Sequence, residues 1–293
     1  MVSRYGDEVR IAIALVGLLA CNYAPSPATG DAGGDDAATR IDALIDTPGA
    51  GDSDGDGVLD SVDNCPTVPN PDQHDEDVDL IGDACDPCPQ FSINIDSDGD
   101  GLGDLCDPHP GVPGDQLTSF FGFGTAGGLP AGITAQAGNP ADWSVALDQL
   151  HLASNDTQHI IEIEGGFNRS WIEIGGFVST ATPALATFAA VFDADQTQTY
   201  FACSVVFTDT PGRILQEFNN GSFTALATII GTPTPGISYV IRGGLDDQLN
   251  CTFVGGINVA IRRPGTSHNE STVGVRARNV TLDITYIAVY RSP

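Results

Sequence analysis

Between residues 52 and 107 the chain repeats one spacing of aspartates three times, D-x-D-x-D-x-x-x-D-x-x-D. The first copy is Asp52, Asp54, Asp56, Asp60 and Asp63; the second is Asp75, Asp77, Asp79, Asp83 and Asp86. The third is Asp96, Asp98, Asp100, Asp104 and Asp107. Carboxylates at this density repel one another, and no Lys or Arg falls between Ile41 and Asn168 to answer them. A divalent cation must supply the countercharge. Ca2+ takes six to eight oxygens, and a tight loop offers them from positions 1, 3, 5, 9 and 12, with a backbone carbonyl at 7. The segment is therefore expected to fold around several calcium ions.

Composition bounds the rest. The 293 residues carry a formal net charge of −28 and are 41% hydrophobic, which suits one sizeable globular domain with something added. All eleven basic residues are Arg. An acidic excess of this size argues against nucleic acid or anionic headgroups as partners.

Residues 11–20 (I-A-I-A-L-V-G-L-L-A) form an apolar run too short to cross a bilayer as a helix, and they read as the centre of a secretion signal. The run ends in Leu18-Leu19-Ala20-Cys21, which resembles the bacterial lipobox. That resemblance implies a signal peptide over 1–21 and lipidation of Cys21, with the exported protein anchored to a membrane at the outer membrane or cell surface. Residues 22–50, rich in Ala, Pro, Gly, Thr and Asp, read as a disordered tether. The repeat occupies 51–110, a Pro/Gly hinge 111–118, and a domain of different character 119–293.

Beyond Cys21 there are six cysteines: Cys65, Cys85, Cys88, Cys106, Cys203 and Cys251. An even number in an exported chain reads as disulfides. Zinc at the C-x-x-C of Cys85 and Cys88 would need two more soft ligands, and the neighbours are hard aspartates.

The repeat also carries a family resemblance. D-S-D-G-D-G-V-L-D-S-V-D-N-C-P-T-V-P-N-P-D-Q-H-D, from Asp52 to Asp75, resembles a thrombospondin type 3 repeat, with D-N-C-P after the loop and N-P-x-Q-x-D leading into the next. D-S-D-G-D-G-L-G-D-L-C-D, from Asp96, resembles that family's second loop type. The resemblance implies a segment in which calcium and disulfides replace a hydrophobic core, with Cys65 bonded to Cys85 and Cys88 to Cys106. Gly57 and Gly101 follow the third aspartate, where the loop turns sharply. The middle copy departs from the pattern, with Leu80 and Ile81 where glycine is expected first, so its site is expected to be weaker or distorted. An EF-hand would need flanking helices, and Thr47-Pro48-Gly49 before the loop and Asn64-Cys65-Pro66 after it oppose them.

From residue 119 onward, short alternating segments are separated by Gly, Pro, Asn and Asp clusters, the signature of an all-β sandwich or barrel. Strands are expected at 159–164, 171–177, 187–192, 200–207, 239–242, 249–254 and 258–262. The last strand is the clearest, with Val280, Leu282, Ile284, Tyr286, Ala288 and Tyr290 on one face and Thr281, Asp283 and Thr285 on the other. Asp142-Trp143-Ser144-Val145, Leu150-His151-Leu152, Thr272 to Arg278 and Leu282 to Tyr290 together resemble the concanavalin A-like, laminin-G-like jelly rolls. The fold class expected is thus mainly β: a jelly-roll sandwich preceded by an irregular, disulfide-linked, calcium-binding repeat. Cys203 and Cys251 lie in two of the expected strands and are expected to pair.

Signs of catalysis are few. The string Glu162-Ile163-Glu164-Gly165-Gly166-Phe167 lacks the terminal carboxylate of the laminarinase pattern E-x-D-x-x-E, no G-x-S-x-G is present, and no thiol is left over. No catalytic residue is assigned. Trp143 and Trp171 are the candidate stacking platforms for a glycan. The function expected is a calcium-binding surface lipoprotein whose stalk presents a sandwich for adhesion or for recognising an extracellular glycan or protein. A glycan hydrolase using Glu162, Glu164 or Glu173 and a purely structural envelope protein remain as alternatives.

Overall fold

The computed structural model describes residues 51–153, 158–163, 169–182, 185–194, 199–208, 211–246, 248–254, 259–264 and 272–293. The signal stretch with Cys21 and the tether lie outside them, as does Glu164. Among the described residues no helix is long and apolar enough to cross a membrane.

The strands in chain order are β1 (Gln116–Phe121), β2 (Ile133–Ala137), β3 (Trp143–Ala146), β4 (Gln149–Leu152) and β5 (Gln158–Ile163). Next come β6 (Ser170–Ala181), β7 (Thr187–Ala194), β8 (Tyr200–Val206), β9 (Gly212–Asn219) and β10 (Ser222–Ile230). The last are β11 (Ile237–Leu245), β12 (Gln248–Val254), β13 (Val259–Pro264), β14 (Thr272–Arg278) and β15 (Val280–Arg291). They form two antiparallel sheets packed as a sandwich. One sheet has eight strands in the order β13-β12-β11-β6-β15-β4-β3, with β1 added alongside β15; the other has seven, in the order β10-β9-β8-β7-β14-β5-β2. β1 begins at Gln116, inside the stretch 111–118 read from sequence as a hinge.

Alternation along the strands builds the core. On β5, His159, Ile161 and Ile163 are buried while Gln158, Ile160 and Glu162 are half-buried. Ile161, Ile174, Phe188, Val275 and Leu282 meet between the sheets, each fully buried. Cys203 on β8 and Cys251 on β12 belong to opposite sheets, and their disulfide closes the gap with Cα atoms 5.4 Å apart.

The clearest strand departs from its expected pattern. Alternation holds from Val280 to Ile284, all of whose inward members enter the main core. Between Ile284 and Tyr286 the register against β6 then slips by a β-bulge, which leaves one residue unpaired and exchanges the faces. Ile287 and Val289 therefore continue the main core, while Ala288 and Tyr290 join a second apolar cluster on the outside of the sheet with Trp171 of β6. Thus the six residues assigned to one face are divided between two.

Around Trp171, Ala288 and Tyr290 that outer face is covered by the aspartate repeat. Cys88, Leu102 and Cys106 are buried in the same cluster, with Phe91, Leu117 and Phe120 packed against it. The repeat is seated on the eight-stranded sheet along the Cys88–Cys106 disulfide and does not stand clear of it as a stalk.

Replacing Cys203 and Cys251 together by Ala removes a cross-link of sequence separation 48, worth about 4 kcal/mol in the loop-entropy model. Thermal unfolding of this variant in calcium is expected to fall by many degrees. An unchanged midpoint would show that the two sheets need no covalent tie.

Candidate metal centres and the docked repeat

Each loop is wound by its own aspartates. The Asp52 carboxylate accepts from the N–H groups of Gly55 at 2.8 Å and Gly57 at 3.1 Å. Asp96 accepts likewise from Gly99 at 2.7 Å and Gly101 at 3.0 Å, bonds that hold its carboxyl below the usual range. These four glycines have φ from 80° to 100°, where a side chain is strained. The middle loop makes the same turn without glycine. Asp75 accepts from Val78 at 2.8 Å and Leu80 at 3.0 Å, and those residues take φ of 63° and 79°. The departure noted in the sequence therefore takes the form of backbone strain, about 1–2 kcal/mol per residue, in a loop that keeps its shape.

The remaining positions divide by role. At position 9, Asp60 and Asp104 each accept from the N–H and the hydroxyl of Ser53 and Ser97 respectively, at 2.7–2.8 Å. Asp83 does the same with the Glu76 N–H at 2.9 Å and His74 Nδ1 at 2.6 Å. These three carboxylates brace their loops. At position 12, Asp63, Asp86 and Asp107 each accept through Oδ1 from the N–H two residues on. The aspartate at position 5 ties each loop to the next stretch of chain: Asp56 accepts from the Asn70 N–H, Asp79 from Asn94 Nδ2 and Asp100 from the Gly114 N–H. Gln73 completes the N-P-x-Q clamp, donating to Asp63 at 2.8 Å and accepting from the Asn64 N–H at 3.0 Å.

The oxygens left over form the candidate centres. Asp52, Asp54 and Asp56 can bring carboxylate oxygens within 4.8 Å of one another, as can Asp75, Asp77 and Asp79, and Asp96, Asp98 and Asp100. In register with them, Oδ2 of Asp54, Asp63, Asp77, Asp86 and Asp98 is buried with no hydrogen-bond partner, and so is Asn94 Oδ1. Buried oxygens in this position fit a hard cation and no protein donor. Burial pushes the Asp77 carboxyl up to about 6, with Asp79 and Asp86 adding their repulsion. Burial also lifts Asp107 to about 7, helped by Asp115 and Asp100.

A fourth cluster joins Asp100 and Asp107 to Asp115, a residue the spacing argument missed. A signal for it exists: Asp115 follows Asp100 by as many residues as Asn94 follows Asp79. Asp115 is fully buried, accepting from Ser292 Oγ at 2.6 Å and pairing with His109 Nδ1 at 2.9 Å. His109 Nε2 reaches Asp246, just past β11, also at 2.9 Å. Its bond to Asp115 leads the causes that raise the imidazole pKa to about 9, so both ring nitrogens donate at neutral pH.

Glu173, raised in the sequence as a possible acid or nucleophile, is 1% exposed and lies at the centre of the docking surface. It accepts from Gln90 Nε2 at 3.1 Å, from Tyr286 OH at 2.9 Å and from the Arg242 guanidinium at 2.5 Å. Arg242 also donates to the carbonyls of Leu105 at 2.8 Å and Asp107 at 3.1 Å, so one partly buried ion pair stitches repeat to sheet. Burial works against the Arg242 charge, and Glu173 more than offsets it. Glu162 sits on β5 of the other sheet, so the structure does not bring Glu162 and Glu173 together. Trp143 and Trp171 are 2% and 3% exposed. The first packs in the core against His159, the second under the repeat against His109. Neither offers a face to a sugar, because each spends its apolar area inside the protein.

All three expected disulfides are present, Cys65–Cys85, Cys88–Cys106 and Cys203–Cys251. Residues 50–73 match the thrombospondin type 3 repeat family. Among curated proteins no sequence matches the chain. Among solved structures, the carbohydrate binding module CBM66 from Bacillus subtilis aligns at 14% identity and a TM-score of 0.44, over 53% of this chain and 92% of its own. The exoplasmic/lumenal domain of VIP36, in a Ca2+/Man3GlcNAc-bound form, aligns at 11% identity and 0.43, over 55% and 84%. SCLam, a non-specific endo-beta-1,3(4)-glucanase from family GH16, aligns at 10% identity and 0.44, over 61% and 92%. Fold, family match and aspartate clusters together define a β-sandwich protein with a type 3 repeat whose loops could hold metal ions, and its three disulfides fit an exported protein.

The strained middle loop and the covered tryptophan can each be tested. Val78→Gly with Leu80→Gly relieves two strained positions, offset in part by the freedom glycine gains when unfolded, for a net gain of about 1 kcal/mol per site. Calorimetric titration with calcium is expected to show one class of sites tightening, and loosening would mean that the side chains are needed. Chelation, in turn, is expected to shift Trp171 emission to the red as its cover loosens. A Trp171→Phe variant, retaining buried Trp143, is expected to lose that shift, and its persistence would place the change elsewhere.

Proposed function

We propose that the protein is an exported calcium-binding module in which calcium fastens the aspartate repeat onto one sheet of a sandwich, and the sandwich recognises a glycan. The observation that carries the calcium assignment is the set of buried, unpartnered aspartate oxygens recurring at positions 3 and 12. Asp52, Asp54, Asp56 and Asp63 would hold the first centre, Asp75, Asp77, Asp79 and Asp86 the second, and Asp96, Asp98, Asp100 and Asp107 the third. Asp60, Asp83 and Asp104 would shape the loops. Calcium suits them because it accepts many oxygens in flexible geometry, where magnesium demands a near-ideal octahedron. When bound, it neutralises the carboxylates.

Recognition is assigned to the seven-stranded sheet, because the repeat covers the part of the other sheet's outer face around Trp171, Ala288 and Tyr290. The lipobox-like Leu18-Leu19-Ala20-Cys21 supports a lipid anchor at Cys21, with 22–50 as the tether to a cell surface, where binding serves adhesion.

A glycan array probed with the chain from Asn22 tests this in millimolar calcium and in chelator. Saccharide binding in calcium that weakens on chelation is expected. Binding of no saccharide under either condition would remove the glycan reading, and calorimetry showing no calcium uptake would remove the metal.

A further inference from the structure

The seven-stranded sheet carries a feature at odds with the rest of this acidic chain. Val275 and Ala277 of β14 enter the core, so Arg276 between them faces outward. It opens onto a hollow of about 220 Å³ whose lining includes Thr187, Thr208, Gln216, Phe223, Arg276 and Arg278, the remainder being aliphatic. Two guanidinium groups share this space and, among the described residues, no Asp or Glu lines it, in a chain with 39 acidic residues and 11 basic ones.

Arg276 is 3% exposed. One amino nitrogen donates to Gln158 Oε1 at 3.0 Å, and the guanidinium carbon lies 4.8 Å from the centre of the Phe223 ring. Its Nε is buried with no partner among the described residues. Arg242, only half-buried, shows what the protein does elsewhere with such a group: it gives it Glu173. A buried guanidinium without a carboxylate is costly: burial lowers its pKa, the neighbouring Tyr200 hydroxyl works the other way, and Arg278 adds repulsion.

We propose that this hollow binds an acidic saccharide through the carboxylate of a uronic acid residue. The fork of Arg276 matches a carboxylate in two parallel hydrogen bonds, and Arg278 adds charge. Phe223 and the aliphatic lining offer an apolar surface to the C–H face of the ring. Thr187, Thr208 and Gln216 supply donors and acceptors for its hydroxyls. The hollow is smaller than the roughly 300–1,000 Å³ of pockets for drug-sized ligands, so it suits one ring of a chain. The strong negative charge of the protein opposes densely charged polyanions at long range, which favours a ligand with one charge per ring. This inference rests on the glycan-binding reading and assigns its site.

The test is calorimetry on the full chain in millimolar calcium, using oligosaccharides of galacturonate, glucuronate and mannuronate, their neutral counterparts, and inorganic sulfate. Uronate binding at least tenfold tighter than that of the neutral sugars is expected. Arg276→Lys, which keeps charge and loses the fork, is expected to weaken it at least tenfold, and Arg278→Ala less. Calcium titration and Trp171 emission should stay unchanged. Should Arg276→Lys fail to fold, Phe223→Leu and Arg278→Ala carry the test, each expected to weaken uronate binding severalfold. Saccharide binding without preference for uronates, or unaffected by these changes, would overturn the site while leaving the glycan reading intact. Binding of no saccharide would overturn both. Sulfate displacing the uronate at equal concentration would overturn the saccharide assignment and make the hollow a site for simple anions.

Discussion

Carboxylate repulsion without local countercharge governs this molecule. Fifteen aspartates recur within a stretch that contains no Lys or Arg, and the fold meets that burden in three ways. Backbone N–H groups satisfy position 1, serine hydroxyls, a histidine and further N–H groups satisfy position 9, and the oxygens left over converge. The last group calls most strongly for a cation, because those oxygens are buried, and the position 1 carboxylates lie in the same clusters. Hydrogen bonds thus fix the shape of each loop, and metal balances its charge. A loop such as the middle one can keep its outline while carrying strain, since the bonds that shape it are independent of the side chains at Val78 and Leu80.

The same segment completes the sandwich. An eight-stranded sheet with Trp171, Ala288 and Tyr290 on its outer face would expose a large apolar patch, and the repeat removes it from water. Glu173 and Arg242 sit inside that contact as a pair whose remaining hydrogen-bonding capacity is met by Gln90, Tyr286 and two carbonyls of the repeat. Breaking such a contact leaves a charge stranded, so the pair specifies how the repeat sits more than it adds stability.

Much of this was legible in the sequence, and the gaps have physical causes. Aspartate spacing and most strands followed from local pattern, while the pairing of Cys65 with Cys85 and Cys88 with Cys106 came from the resemblance to type 3 repeats. The face exchange on β15 did not, because Ile287 and Val289 are as apolar as Tyr286, Ala288 and Tyr290, so both frames satisfy alternation. β9 and β10 were missed although Asn220-Gly221, with φ of 46° and 89°, marks a tight hairpin turn. Along β10, Phe223, Leu226, Ile229 and Ile230 fall at spacings that gave no period to read. The burial of Glu173, Trp143 and Trp171 depends on contacts distant in the chain, which no window of sequence contains. Arg276 showed nothing in sequence, since its distinction is the lack of a carboxylate nearby in space.

The bulge at Thr285 has a consequence in time. It places Tyr286, Ala288 and Tyr290 on the face that receives the repeat, and these lie in the last strand of the chain. Gln90 bonds to a tyrosine 200 residues further on. The repeat is therefore synthesised well before its seat exists. Its loops can close on their own aspartates and its two disulfides can form locally. Docking waits until β15 has been laid against β6, so the part of the described chain made first is the part seated last.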